Sequence, residues 1–240
     1  MSLLFLVAAA ALVPLDVRIA GSDGALAGTL TDPSPAAPTL ILIPGSGPTD
    51  RNSDNPAGIS GGIYRQLAAR GVATLRIDKR GMFGSRGAIA NPNAVTIADY
   101  VTDVRGWTRF LRTSGKRCVW LAGHSEGGLV ALAAAQQPSG ICGLVLLAAP
   151  GRPLGAVLRG QLAPKLPPAM YAAADGAIAR LERRQRVDPA ALPAPLAQLF
   201  NAGVQGFLID LMAIDPARLA AATRLPMLIV QGETDIQVGP

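Results

Sequence analysis

The sequence predicts an α/β protein with a doubly wound, mostly parallel sheet, and three observations carry that expectation. Five short apolar runs (Thr39–Ile43, 72–77, 118–122, 141–148 and Met227–Val230) are continuous rather than alternating, as strands buried on both faces are. Helical patterns fall between them, and such alternation builds parallel strand-helix-strand units. One strand-to-helix junction, Gly123-His124-Ser125-Glu126-Gly127-Gly128, holds enough glycine for a very tight turn.

Along the chain, residues 3–13 come first as an eleven-residue apolar run with alanines at 8–11. That length suits a signal-peptide core and is too short to span a bilayer, so residues 1–13 read as a signal peptide and the protein as exported. Nothing between Met1 and Leu3 is basic, which leaves a buried first strand, a mis-assigned start and a cytoplasmic protein as the alternatives. Residues 17–19 and Ala25–Thr31 flank Gly21-Ser22-Asp23-Gly24 and predict a β-hairpin. Over 96–113, Ile97, Tyr100, Val101, Val104, Trp107, Thr108 and Leu111 recur at helical spacing. Thr96 with Asp99 three residues on predicts a capping box, and Gly115 is placed to end the helix. A second helix is expected from Glu126 to the stop at Pro138.

Composition changes over 151–224, where Ala, Pro, Arg and Leu dominate and no strand pattern occurs. Prolines at 153, 164, 167, 168, 189, 193 and 195 divide it into short helices. The predicted organisation is a core over 14–150, an inserted helical lid over 151–224, and a core that resumes over 225–240.

The 240 residues are 50% hydrophobic and 16% charged, too apolar for a disordered chain. The net charge of +6 raises nucleic-acid binding. Its densest cluster, Arg180, Arg183, Arg184 and Arg186, contains Glu182 and has no aromatic neighbour, which reads as a solvated helix face. Two cysteines and a single histidine are too few for a four-ligand zinc site, and no metal or organic cofactor is expected. Cys118 and Cys142 fall at the starts of predicted strands and read as free buried thiols, with a disulfide between neighbouring strands as the alternative.

The chemistry centres on Ser125. G-x-S-x-G between a strand and a helix is the nucleophile elbow, which lifts a serine hydroxyl above the end of its strand. The helix N-terminus behind it offers backbone N–H groups to a developing oxyanion. From residue 17 onward the chain resembles the α/β-hydrolase fold family. Ile43-Pro44-Gly45-Ser46-Gly47-Pro48, extended through Thr49, Asp50, Arg51 and Asn52, is similar to the oxyanion loop of bacterial esterases and serine-aminopeptidase-like hydrolases. The resemblance implies that the N–H groups of Ser46 and Glu126 hold the oxyanion. It also implies that Asp78-Lys79-Arg80-Gly81 shapes the core rather than doing chemistry. A phosphate-loop reading of Gly45-Ser46-Gly47 fails, because Pro44 and Pro48 lack the N–H groups a phosphate needs and no G-K-S/T follows.

In the family, an acid in the position of Asp235, in Gly232-Glu233-Thr234-Asp235, orients the catalytic histidine; Glu233 is its rival. No histidine follows Asp235. His124 directly precedes Ser125 and points elsewhere in such elbows, so the expectation is a chain that ends before its last strand, histidine loop and closing helix, inactive as it stands. Two readings follow: an esterase-like serine hydrolase acting on small-molecule esters, with aminopeptidase or thioesterase activity as variants, or a non-catalytic binding protein. Met170, Tyr171 and Phe200 are expected to line an apolar acyl pocket.

Overall fold

The computed structural model describes residues 12–52 and 63–239. Most of the expected signal peptide lies outside the described residues. Among the described residues, seven strands form one sheet: β1 (Leu15–Ala20), β2 (Ala25–Thr31), β3 (Thr39–Ile43), β4 (Ala73–Ile77), β5 (Val119–His124), β6 (Ile141–Leu147) and β7 (Met227–Val230). Their order is β1-β2-β4-β3-β5-β6-β7. The predicted hairpin pairs antiparallel, with Ala20 opposite Ala25 and the Gly21 N–H donating to Gly24 O at 2.8 Å. Because β2 also pairs antiparallel with β4, the sheet is mixed; β4, β3, β5, β6 and β7 are parallel throughout.

The helices between strands are α1 (Ile63–Ala69), α2 (Ile97–Thr113) and α3 (Glu126–Ala135). The α2 start is the predicted capping box, the Thr96 hydroxyl accepting from the Asp99 N–H and the Asp99 carboxylate from the Thr96 N–H. At its other end Gly115 takes φ +96°, where a side chain would be strained. In α3 every residue except Ala133 is buried, as expected of a helix that is apolar all round. Ile41, Leu75, Leu121 and Leu144, from four adjacent parallel strands, meet Trp107, Leu111, Leu129 and Leu132 in the main core.

Between β6 and β7 lie α4 (Leu154–Leu162), α5 (Pro168–Glu182), α6 (Ala194–Leu199), α7 (Gln205–Met212) and α8 (Pro216–Ala222). Prolines sit in the first turn of α5, α6 and α8, where a missing N–H costs nothing. These helices have their own core, built on Ala174, Ile178, Leu181, Leu196, Phe200 and Met212. Phe200 is fully buried there, among the side chains that pack these helices together. Arg159 joins α4 to α5 by pairing with Asp175 at 2.6 Å and Glu182 at 2.7 Å. Arg180, Arg183, Arg184 and Arg186 are exposed. No helix among the described residues is long and apolar enough to cross a membrane.

Cys118 and Cys142 are joined in a disulfide, with Cα atoms 5.4 Å apart, which corrects the free-thiol expectation. The cause is local register: Val119 pairs with Ile141 and Trp120 with Gly143, so Cys142 sits at an irregularity beside Cys118. Gly143 has to be glycine, since a Cβ there would lie 2.2 Å from the Trp120 ring.

Candidate active site

Three loops gather at the carboxyl ends of the parallel strands, the edge where open α/β sheets place their ligands. The first is the turn from β5 into α3. Ser125 takes φ 51° and ψ −121°, a conformation that costs a non-glycine residue about 1–3 kcal/mol and persists only where its surroundings enforce it. They do so through glycine. A Cβ on Gly123 would lie 2.2 Å from Gly127 O, one on Gly127 2.3 Å from Ile43 O, and one on Gly128 2.4 Å from the Ala149 Cβ. The elbow is thus clamped between the ends of β3 and β6. The Ser125 N–H donates to Leu147 O at 2.9 Å, and its carbonyl accepts from the Gly128 N–H at 2.8 Å. Its hydroxyl has no hydrogen-bond partner among the described residues.

The second loop follows β3. A Cβ on Gly45 would lie 3.0 Å from His124 Nδ1 and 3.3 Å from the Ser125 Cβ, so this backbone runs against the elbow. Ser46 next to it is exposed. The loop is tied down through Arg51, whose guanidinium meets Asp78 at 2.7 Å and the Thr29 hydroxyl at 2.9 Å. Asp78 also accepts from the N–H groups of Arg51 at 3.2 Å and Gly84 at 2.9 Å.

Lys79 completes this corner. Its buried ammonium donates to Gly45 O at 2.6 Å and lies 3.4 Å from Glu126 Oε1, with the Tyr100 ring centroid at 5.8 Å. Burial pushes the Lys79 ammonium down in pKa while Glu126 opposes the shift; burial pushes the Glu126 carboxyl up while Lys79 opposes it. Asp78 and Arg80, in the stretch that the resemblance implies to be core-shaping, are both buried. The reach of Lys79 to Gly45 and Glu126 depends on tertiary neighbours that no spacing reveals.

The third loop follows β7. Asp235 Oδ1 accepts from the N–H groups of Gln237 at 2.8 Å and Val238 at 3.0 Å, and Oδ2 from Gln231 Nε2 at 3.1 Å. The Val238 and Gln237 N–H groups hold its carboxyl below the usual carboxylate range. Its rival Glu233 is exposed and makes no hydrogen bond among the described residues. Burial pushes the His124 imidazole down, and the charge of Asp235 opposes that shift. His124 donates no hydrogen bond to Ser125. The structure therefore brings Ser125, Glu126 and the Gly45-Ser46 peptide together. Asp235 stands at the same sheet edge, and only its charge links it to the elbow.

Residues 57–240 match the family described as serine aminopeptidase, S33. The chain belongs to that family. Against curated proteins, this S33 chain is 26% identical over 226 residues to esterase EstD of Thermotoga maritima, covering 93% of the chain and 52% of the esterase. It thus spans about half the length of that relative. Among solved structures, an esterase of Pyrococcus furiosus superposes with a TM-score of 0.62 at 20% identity, over 95% of this chain and 73% of that one. The α/β hydrolase GrgF of Penicillium sp. sh18 superposes at 0.63 with 19% identity, over 95% and 82%. The proline iminopeptidase of Mycobacterium smegmatis gives 0.59 at 20%, over 92% and 83%. These likenesses establish the α/β-hydrolase fold of the S33 chain.

Proposed function

We propose that this S33 chain carries the nucleophile of a serine hydrolase that cleaves small carboxylic esters through an acyl-enzyme on Ser125. The observation that carries the reading is the approach of the Gly45 backbone to Ser125, which runs the loop after β3 against a serine held on a strained turn. In this reading Ser125 Oγ attacks the ester carbonyl carbon, and its proton passes to a base. The carbonyl oxygen becomes an oxyanion held by the N–H groups of Ser46 and Glu126, each worth about 3 kcal/mol. Collapse of the tetrahedral intermediate expels the alcohol, which takes up the proton. Water then repeats the sequence on the acyl-serine and releases the acid. The base is proposed to be a histidine from outside these 240 residues, held by Asp235; His124, bound into the elbow beside Gly45, does not serve. Ester rather than peptide cleavage is supported by the esterase relative.

The helices over 151–224 are proposed to cover the site. Gln161 of α4 donates to Gln237 O at 2.6 Å, so the helical layer reaches the Asp235 turn. A cavity of about 140 Å³ lies at that junction, lined by Pro150, Arg152, Val157, Gln161 and Val238. It is proposed to receive part of the ester.

The test uses the complete gene product. A fluorophosphonate probe is expected to label it at Ser125, located by peptide mapping, and p-nitrophenyl esters are expected to turn over faster than aminoacyl anilides. Faster anilide turnover would move the reading to an aminopeptidase. A folded protein that is not labelled would sink the enzyme reading in favour of a binding protein.

Export is proposed on separate grounds: the apolar run at 3–13 and the Cys118–Cys142 disulfide, a bond that persists in oxidising compartments. Mass spectrometry of protein from its native source should find a mature chain that lacks Leu3; retention of Leu3 would count against cleavage and export.

A further inference from the structure

We propose that Lys79 is the positioning residue of the oxyanion hole, fixing through one ammonium the direction of the Ser46 N–H and the placement of Glu126. The proposal rests on the reading of Ser125 as nucleophile. The carbonyl of Gly45 and the N–H of Ser46 belong to one peptide group. No described peptide bond is cis, so in this group C=O and N–H point in opposite directions. Whatever holds Gly45 O therefore aims the Ser46 N–H, and Lys79 Nζ holds it at 2.6 Å.

Gly45 cannot hold this orientation itself. Glycine turns its flanking peptides more freely than any other residue, and a side chain there would crowd His124 and Ser125. An external clamp is needed, and Lys79 supplies it from a backbone that is itself fixed. The Asp78 N–H donates to Ala27 O at 3.0 Å and the Met82 N–H to Lys79 O at 3.0 Å, so the stem of Lys79 starts from a turn joined to the sheet. Its second partner, Glu126 Oε1 at 3.4 Å, belongs to the residue whose own N–H is the other proposed donor. The two donors lie on different loops, after β3 and after β5, and Lys79 bridges them. Both side chains of the pair are about 95% buried, so water does not substitute for either.

A purely structural ion pair in the same place would affect stability alone, and that separates the two roles. Lys79→Met leaves Glu126 buried without its cation, so Lys79→Met/Glu126→Gln is made beside it to keep the fold; glutamine retains the backbone N–H. Measured on the complete gene product are the melting temperature, kcat and KM for a p-nitrophenyl ester, and inhibition by phenylboronic acid, whose adduct with serine is tetrahedral. In the double variant kcat should fall about 10²-fold, the loss typical of one misplaced oxyanion donor. The boronate inhibition constant should rise in parallel, with KM within about threefold and the melting temperature restored. A double variant with the parent kcat and boronate affinity would overturn the proposal and leave Lys79 a stabilising residue. Ser125→Ala run alongside keeps the two readings apart. If it still turns over ester, the Ser125 assignment itself fails; if it is inactive while the double variant is unimpaired, only the role of Lys79 is lost.

Discussion

Ser125→Ala is expected to lower kcat/KM for esters by about 10⁴-fold or more, with the residue of activity supplied by binding and backbone oxyanion donors that the substitution leaves in place. Stability should hardly move. The hydroxyl has no hydrogen-bond partner among the described residues, and alanine inherits the φ of 51° without an added branch. A change within about 0.5 kcal/mol is expected, as for other substitutions that break no buried interaction. Ester kinetics and urea unfolding on the same preparation check both halves. Loss of activity with loss of fold would say that the serine is structural, and full activity would remove it from the mechanism.

The second large effect is on folding. Arg80 is 1% exposed, and the Nε and Nη2 edge of its guanidinium donates to both oxygens of the Asp103 carboxylate. It donates as well to the Ser22 hydroxyl at 2.6 Å, Asp23 at 3.1 Å and Ala88 O at 3.1 Å. One side chain therefore joins the β1–β2 turn, the loop after β4 and helix α2. Arg80→Met should cost about 3–5 kcal/mol near neutral pH, because Asp103 remains buried without its cation. That is a large share of the roughly 5–15 kcal/mol that holds a domain folded.

The sign of its pH dependence follows from Asp103. Burial already pushes that carboxyl up and Arg80 opposes the shift, so removing Arg80 raises it further. In the variant the folded state then keeps the proton to higher pH than the unfolded state does. Stability falls as pH rises from the unfolded value near 4 through the raised folded value. The deficit against the parent protein should therefore be smaller at pH 5 than at pH 8 in urea unfolding, and Asp103→Asn in the same background should flatten the difference. A deficit that does not change with pH would show that Asp103 is not what Arg80 neutralises.

Features that rest on neighbours in sequence are legible in the residues themselves. The five parallel strands follow from continuous apolar runs, the α2 start from Thr96 and Asp99, and the elbow from glycines whose absent side chains leave room for β3 and β6. The hairpin follows from its turn, although nothing in the sequence tells that β2 pairs with β4 and makes the sheet mixed. Features set by distant neighbours stay hidden. Cys118 and Cys142 look like two thiols at two strand starts until the register irregularity brings them together. Asp235 and Glu233 are two carboxylates of one loop, told apart by the backbone N–H groups and the Gln231 amide that turn toward the former. The partners of Lys79 are hidden for the same reason, since Gly45 and Glu126 lie far from it in sequence.

The disulfide spans 24 residues, and between its two ends lie β5, Ser125 and the whole of α3. The segment that bears the candidate nucleophile is thus a closed ring hung on the rest of the chain. A pull applied through the two ends of the protein runs across the sulfur–sulfur link and bypasses the elbow. A single proteolytic nick inside the ring leaves both pieces attached. Strand, turn and helix stay within reach of one another even in a molecule whose sheet has come apart.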